Sequence, residues 1–236
     1  MEKFDVAIWG TVGQWISITA TFMVAVIALL KEEIIRTFRH SDLRIAIRPN
    51  SSDCHKTTIY FNYENRPRSS GIYYFRLWVE NVGSLRAEKV QVFIAKLEKK
   101  RLDNTFEEVR SFLPMNLRWS QSGGTDKPEV FADGISSRMG KHCDIAHIVS
   151  PFWKSVLGES LPSEEENATA VCALEVEVPT NTRTHLLAPG TYRLALRIAA
   201  SNTKPIERVL EIGFTGEWSD DETLMLNQKA YAKVVG

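Results

Sequence analysis

The chain has 236 residues, with 29 basic and 29 acidic side chains and a net charge of zero. That balance offers nucleic acid no basic face. Three cysteines, Cys54, Cys143 and Cys172, are too few and too odd for a disulfide framework, which suits a reducing compartment.

The first element is the run from Val6 to Leu30, 25 positions without a charge. At ~1.5 Å per residue it covers roughly 37 Å, enough to cross a hydrocarbon core of ~30 Å with some tilt. A cleaved signal peptide fits less well, because the start carries Glu2 and Asp5, the run is long, and no small-residue cleavage pattern follows. Residues Lys31 to His40 are expected to continue the helix into the interface, so 1–40 form one anchor with a juxtamembrane helix. Lys3 stands before the run, whereas Lys31, Arg36, Arg39, Arg44 and Arg48 follow it. The positive-inside rule then places the N-terminus outside and the large domain in the cytoplasm. Trp9 and Trp15 suit headgroup depth at one interface, and Arg36 and Arg39 suit lipid phosphates at the other.

Gly13, Ser17, Thr21 and Ala25 recur every four residues and make a stripe of small side chains flanked by Gln14. Such stripes let membrane helices approach closely, so self-association is one expectation. The competing one is that small and hydroxylated residues are common in membrane helices.

From Leu43 onward the dominant signal is alternation. Leu43, Ile45 and Ile47 share one face, as do Phe75, Leu77 and Val79, then Val90, Val92 and Ile94. Cys172, Leu174, Val176 and Val178 follow, then Tyr192, Leu194, Leu196 and Ile198, then Leu210, Ile212 and Phe214. Asn81-Val82-Gly83-Ser84, Pro189-Gly190 and Ser201-Asn202 supply the turns. Half-buried strands must cover one another, so 41–218 is expected to be an antiparallel β-sandwich. Two stretches, Ser51–Ser70 and Lys100–Lys141, read as insertions. In the second, FLPMNLRW (112–119) gathers aromatic surface, with Arg118 and Trp119 as candidate anchors for a partner or, alternatively, as a cap on the sandwich. Trp218 is placed to close the core. Ser219 with Glu222 spells a capping box, so 219–236 is expected to be a short helix and a tail.

The stretch LWVENVGSLRAEKVQVFIAKLEKK resembles the strand–turn–strand opening of CARDB-like and other immunoglobulin-like bacterial modules. LAPGTYRLALRIAASN resembles their penultimate hairpin, with Pro-Gly before an inward Tyr. With FLPMNLRWS and CDIAHI between, the region from Leu77 to Phe214 looks like membrane-anchored bacterial proteins of unassigned function. The resemblance implies an immunoglobulin-like, mainly β fold and a binding module, and carries no catalytic residues to transfer.

For chemistry, Lys141-His142-Cys143-Asp144-Ile145-Ala146-His147 is the constellation to test. As a strand, it would face Cys143, Ile145, His147 and Val149 one way and His142 and Asp144 the other. A zinc site would need further ligands, for which Cys54 and His55 are the candidates, but the spacing fits no paired-cysteine scheme. A buried cysteine and a hydrogen-bonded histidine are the plainer reading, and Cys143 and His147 do not form a tight dyad along one strand. The acidic run Glu164-Glu165-Glu166 reads as a solvated loop. Phosphate-loop, dinucleotide and nucleophile-elbow motifs are absent. The expectation is therefore a single-pass, non-enzymatic interaction or assembly module without cofactor or metal. Its partners would be the lipid bilayer and either itself, as a homo-oligomer, or another protein. One alternative is an oligomerising, membrane-perturbing effector that uses Gln14, Ser17, Thr19 and Thr21. Another, with topology reversed, is an envelope-side ligand or glycan binder that uses Trp78 and Trp119.

Overall fold

The computed structural model describes residues 6–38, 40–49, 52–120, 130–161 and 170–235. The chain divides into two compact units, Met1–His40 and Ser41–Gly236. The first is one helix, α1 (Val6–Phe38). Within it Val12–Lys31 is long and apolar enough to cross a membrane, with mean hydropathy 1.8. Its apolar side chains, Trp15, Phe22 and Leu29 among them, are exposed rather than packed. That is the arrangement expected where lipid, not protein, covers the surface.

The second unit is mainly β, in two antiparallel sheets. The first sheet holds β1 (Leu43–Ala46), β2 (Cys54–Tyr63), β3 (Arg66–Asn81), β8 (Met139–Val149), β9 (Val171–Leu174) and β10 (Leu186–Leu187). The second holds β4 (Ala87–Lys100), β5 (Phe106–Glu108), β6 (Met115–Asn116), β7 (Ala132–Ile135), β11 (Gly190–Ala200), β12 (Thr203–Phe214) and β13 (Ala230–Val235). Strand β3 is the spine of the first sheet. Both β1 and β2 pair along one of its sides and β8 along the other. In the second sheet β4, β11 and β12 form the centre.

The expected alternation is what builds the core. Phe75, Leu77 and Val79 from the first sheet meet Val90, Val92, Ile94, Leu194, Leu196, Ile198, Leu210 and Ile212 from the second. The passage from β3 to β4 is fixed by Asn81, a fully buried polar side chain. Its amide nitrogen donates to the carbonyls of Leu85 and Ile135, and its oxygen accepts from the amides of Asp42 and Gly83. Every polar atom of that side chain is thus matched, as burial demands.

Three expectations are corrected. The polar stretch Ser51–Ser70 is no insertion over its described part: it forms β2 and the start of β3, a hairpin turned by Glu64 and Asn65 at φ 51° and 60°. The C-terminal residues are no tail. A short helix, α2 (Glu222–Leu224), is capped by the Asp221 carboxylate, which accepts from the Leu224 amide, rather than by Ser219. The chain then continues as β13 along β12, with Ala230 and Ala232 buried. Finally, Val178 leaves the alternating face and is exposed, because β9 ends at Leu174. Trp218 packs edge-on to Tyr73 with ring centroids 5.1 Å apart, against the core as expected.

Candidate functional site

The outward face of the first sheet carries a cluster of titratable side chains. Its existence depends on one residue. Along β3 and β8, Arg76 pairs with Asp144 but Phe75 pairs with Ala146, so Ile145 is an extra residue in β8. Such a bulge inverts the alternation beyond it. Tyr74, Arg76 and Trp78 therefore share a face with His147, Asp144 and His142. The expected grouping of Cys143 with His147 is corrected: Cys143 faces the core and His147 faces away from it.

The segment 112–119 then adds side chains from a second direction. Met115 and Asn116 pair with β4, whereas Leu117 bridges to Val176 and Trp119 to Cys143. It thus crosses from one sheet to the other and closes that side of the sandwich. Phe112, Leu117 and Trp119 are buried, and the Trp119 ring nitrogen donates to the Val130 carbonyl at 3.2 Å. Trp119 is 1% exposed, which overturns its reading as an anchor or platform for a partner and favours the cap. Trp78 is half-buried against His142, with centroids 4.7 Å apart. Arg118 is held by its own chain: its guanidinium lies 3.9 Å from Glu175 and donates to the Glu177 carbonyl.

His147 is the centre of the cluster. Its Nδ1 donates to Glu175 and its Nε2 to Glu159, both at 2.6 Å. Burial lowers its pKa, but the two carboxylates outweigh burial and raise it to about 10. The Glu175 carboxyl is pushed up by burial and down by His147 and the two arginines, with a net lowering. An imidazolium with both N–H groups donated has no lone pair for a base. His147 instead ties β8 to the residue after β9 and to the turn segment 151–161.

Two further ion pairs flank it. Arg76 donates to Asp144 at 2.8 Å, and Ser120 donates to the same carboxylate oxygen. Burial leaves that carboxyl raised despite both bonds. Arg76 also lies 5.1 Å from the Tyr74 ring and 3.3 Å from His55 Nε2. Asp53 accepts from Arg48, Ser52 and His142. Burial pushes the Asp53 carboxyl up, yet these donors hold it at about 2. His55 Nδ1, His185 Nδ1, Arg118 Nε and Glu159 Oε2 are buried without a hydrogen-bond partner among the described residues. Burial lowers the pKa of both His55 and His185.

The thiols offer no reactive centre. All three cysteines are buried, and Cys143 donates to the Arg118 carbonyl at 3.3 Å. Burial pushes each thiol up, Cys54 to about 12. No group of three or more His, Cys, Asp or Glu side chains among the described residues is arranged to hold a metal ion. The run Glu164–Glu166 lies outside the described residues.

On the helix, Trp15 is 69% exposed. Two hydroxyls bond within the helix: Thr21 of the stripe donates to the Ser17 carbonyl, and Thr19, off the stripe, to the Trp15 carbonyl. A Cβ added at Gly13 would meet open space. The side chains of Trp9 and Arg36, and all of Arg39, lie outside the described residues.

A feature that sequence reading missed is an aromatic group at the β2–β3 hairpin. The Trp153 ring, from the segment after β8, meets Phe61 at 5.0 Å, Tyr63 at 5.7 Å and Phe152 at 4.6 Å. Tyr60 is 83% exposed and Phe152 75%. The signal was present in Ile59-Tyr60-Phe61-Asn62-Tyr63, but its polar neighbours masked it.

No family model, curated protein or solved structure matches the chain.

Proposed function

We propose that the chain is a membrane-anchored interaction module, whose N-terminal helix fixes a β domain at the membrane surface so that it assembles with another copy or another protein. The observation that carries this reading is the half-buried aromatic group around Trp153, from which Phe152 projects 75% exposed, on a domain preceded by a helix fit to span a bilayer. Clustered exposed aromatics mark contact surfaces, since a water-facing monomer gains nothing from displaying them. A fixed anchor raises the local concentration of weak contacts without requiring new ones. The domain is read as an immunoglobulin-like sandwich, supported by the two antiparallel sheets and their shared core. A non-enzymatic role is supported by the outward face, where His147, Asp144 and Asp53 are each engaged by partners of their own chain. The basic residues after the helix support a domain on the cytoplasmic side.

Sedimentation of the full chain extracted in native-membrane polymer discs tests the reading. The expected mass exceeds one chain, through self-association or a bound second protein at fixed stoichiometry. A single chain at native expression levels would sink it.

A further inference from the structure

The β2–β3 ribbon has two edges, and they are built differently. Beyond Ile72, where the pairing with β8 stops, the β3 edge carries Arg66, Pro67 and Arg68. Charge and proline are the usual means of blunting a free edge. The β2 edge carries no such protection. From Thr57 to Tyr63 it reads Thr-Thr-Ile-Tyr-Phe-Asn-Tyr, seven β-branched, aromatic or amide residues without charge, proline or glycine. Among the described residues no strand lies on its outer side.

The register identifies which backbone groups are open. Tyr63 and Arg66 flank the two-residue turn, so they form a hydrogen-bonded pair, and Phe61, Ile59 and Thr57 follow in the same phase. Thr58, Tyr60 and Asn62 then direct their amides and carbonyls away from β3. Lys56 confirms the phase: its amide points outward and donates to the Glu222 carboxylate at 3.3 Å. That bond also ends the open edge on one side, and the turn at Glu64 ends it on the other. The open segment runs from Thr57 to Tyr63, and its midpoint is Tyr60.

We infer that this edge pairs with the same edge of a second copy of the chain, antiparallel about a two-fold axis at Tyr60. The inference rests on the assembly reading above and names its surface. In this register Tyr60 meets Tyr60 of the second copy, and Thr58 meets its Asn62. Each of these outward pairs exchanges two backbone hydrogen bonds, so all the open amides and carbonyls are matched. On the opposite face Ile59 meets Phe61 and Thr57 meets Tyr63, β-branched against aromatic, the pairing that favours neighbouring strands. The charges flanking the segment, Lys56 and Glu64, have opposite signs, so antiparallel pairing brings no like charges together. A foreign strand would satisfy the backbone equally well. The self-complementary side-chain order is what selects a second copy.

The test is oxidative cross-linking of the full chain in mild detergent. Directly opposed hydrogen-bonded residues sit ~5.5 Å apart at Cα, which suits a disulfide. The three native cysteines are buried and stay silent. Tyr60→Cys should form a disulfide-linked dimer at least tenfold faster than Leu102→Cys, whose position is fully exposed on the β4–β5 turn. Tyr60→Lys sets two ammonium groups against each other, and it should raise the dimer dissociation constant at least tenfold while leaving the thermal unfolding midpoint unchanged when both chains are measured below the wild-type dissociation constant. Equal cross-linking rates in a chain that still self-associates overturn the edge and leave the assembly reading intact. A chain that sediments as a monomer in complex with a different protein overturns the second copy. A lone monomer overturns both.

Discussion

At the scale of single residues, His147 has the clearest consequence. Its folded pKa of about 10 stands above the ordinary 6.5, because Glu159 and Glu175 hold its protonated form. A raised folded value contributes stability that is fully present below the unfolded pKa and disappears as pH rises through the folded one. The chain should therefore lose resistance to urea steadily between pH 6.5 and 10, with the midpoint denaturant concentration as the readout. His147→Gln should flatten that slope. It should also destabilise by about 3–5 kcal/mol at neutral pH, since removing one partner of a buried pair strands the other charges. A wild-type profile that is level across the window would remove the imidazolium from the account. Asp53 works in the opposite sense: its folded value of about 2 lies below the ordinary 3.8, so its contribution is present above 3.8 and lost as pH falls through 2.

At the scale of elements, one inserted residue decides what the first sheet displays. Inward positions were legible because apolar residues alternate: Leu77, Val92, Leu194 and Ile212 lie inward as the pattern demands. The bulge at Ile145 was not legible, because Ile145 and Ala146 are both apolar and both buried, and the run therefore reads as regular. Trp119 was legible as either anchor or cap, and its burial beneath the bridge to Cys143 separates the two. The strand β13 escaped notice because Ala230 and Ala232 give too weak a contrast with Tyr231 and Lys233. Deleting Ile145 should restore plain alternation with the pairing kept, Ala146 opposite Phe75 and His147 opposite Tyr74, so that His147 still faces outward while the buried Ile145 side chain is lost. The deletion is expected to lower the urea midpoint while keeping both a cooperative transition and the pH dependence that His147 sets. Ile145→Val should cost only about 0.5–1.5 kcal/mol. A deletion variant whose stability no longer falls between pH 6.5 and 10 would show that His147 loses its carboxylate partners when the bulge is removed.

At the scale of the whole molecule, the proposed assembly has two separable surfaces, the helix stripe and the β2 edge. Gly13→Leu with Ser17→Leu would fill the small-residue stripe on α1 and should reduce the oligomer ladder seen after cross-linking in detergent, if helix packing holds the copies together. An unchanged ladder, with Tyr60→Lys alone collapsing it, would assign assembly to the β domain.

On the proposed reading, the side of the membrane on which the domain lies sets which partners it meets, and the chain itself provides a clean probe. Because Cys54, Cys143 and Cys172 are buried, a membrane-impermeant thiol reagent leaves the folded wild-type chain unlabelled. A single Leu102→Cys substitution adds one fully exposed thiol on the domain. The bases Lys31, Arg36, Arg39, Arg44 and Arg48, set against Lys3 alone before the helix, favour retention of that end on the cytoplasmic side. Leu102→Cys should therefore resist the reagent in intact cells and react after lysis, with a thiol placed before Val6 behaving in reverse. Labelling of Leu102→Cys in intact cells would put the domain outside. The aromatic group around Trp153 and the open β2 edge would then face the envelope, and the first partners to seek would be strands or glycans presented there.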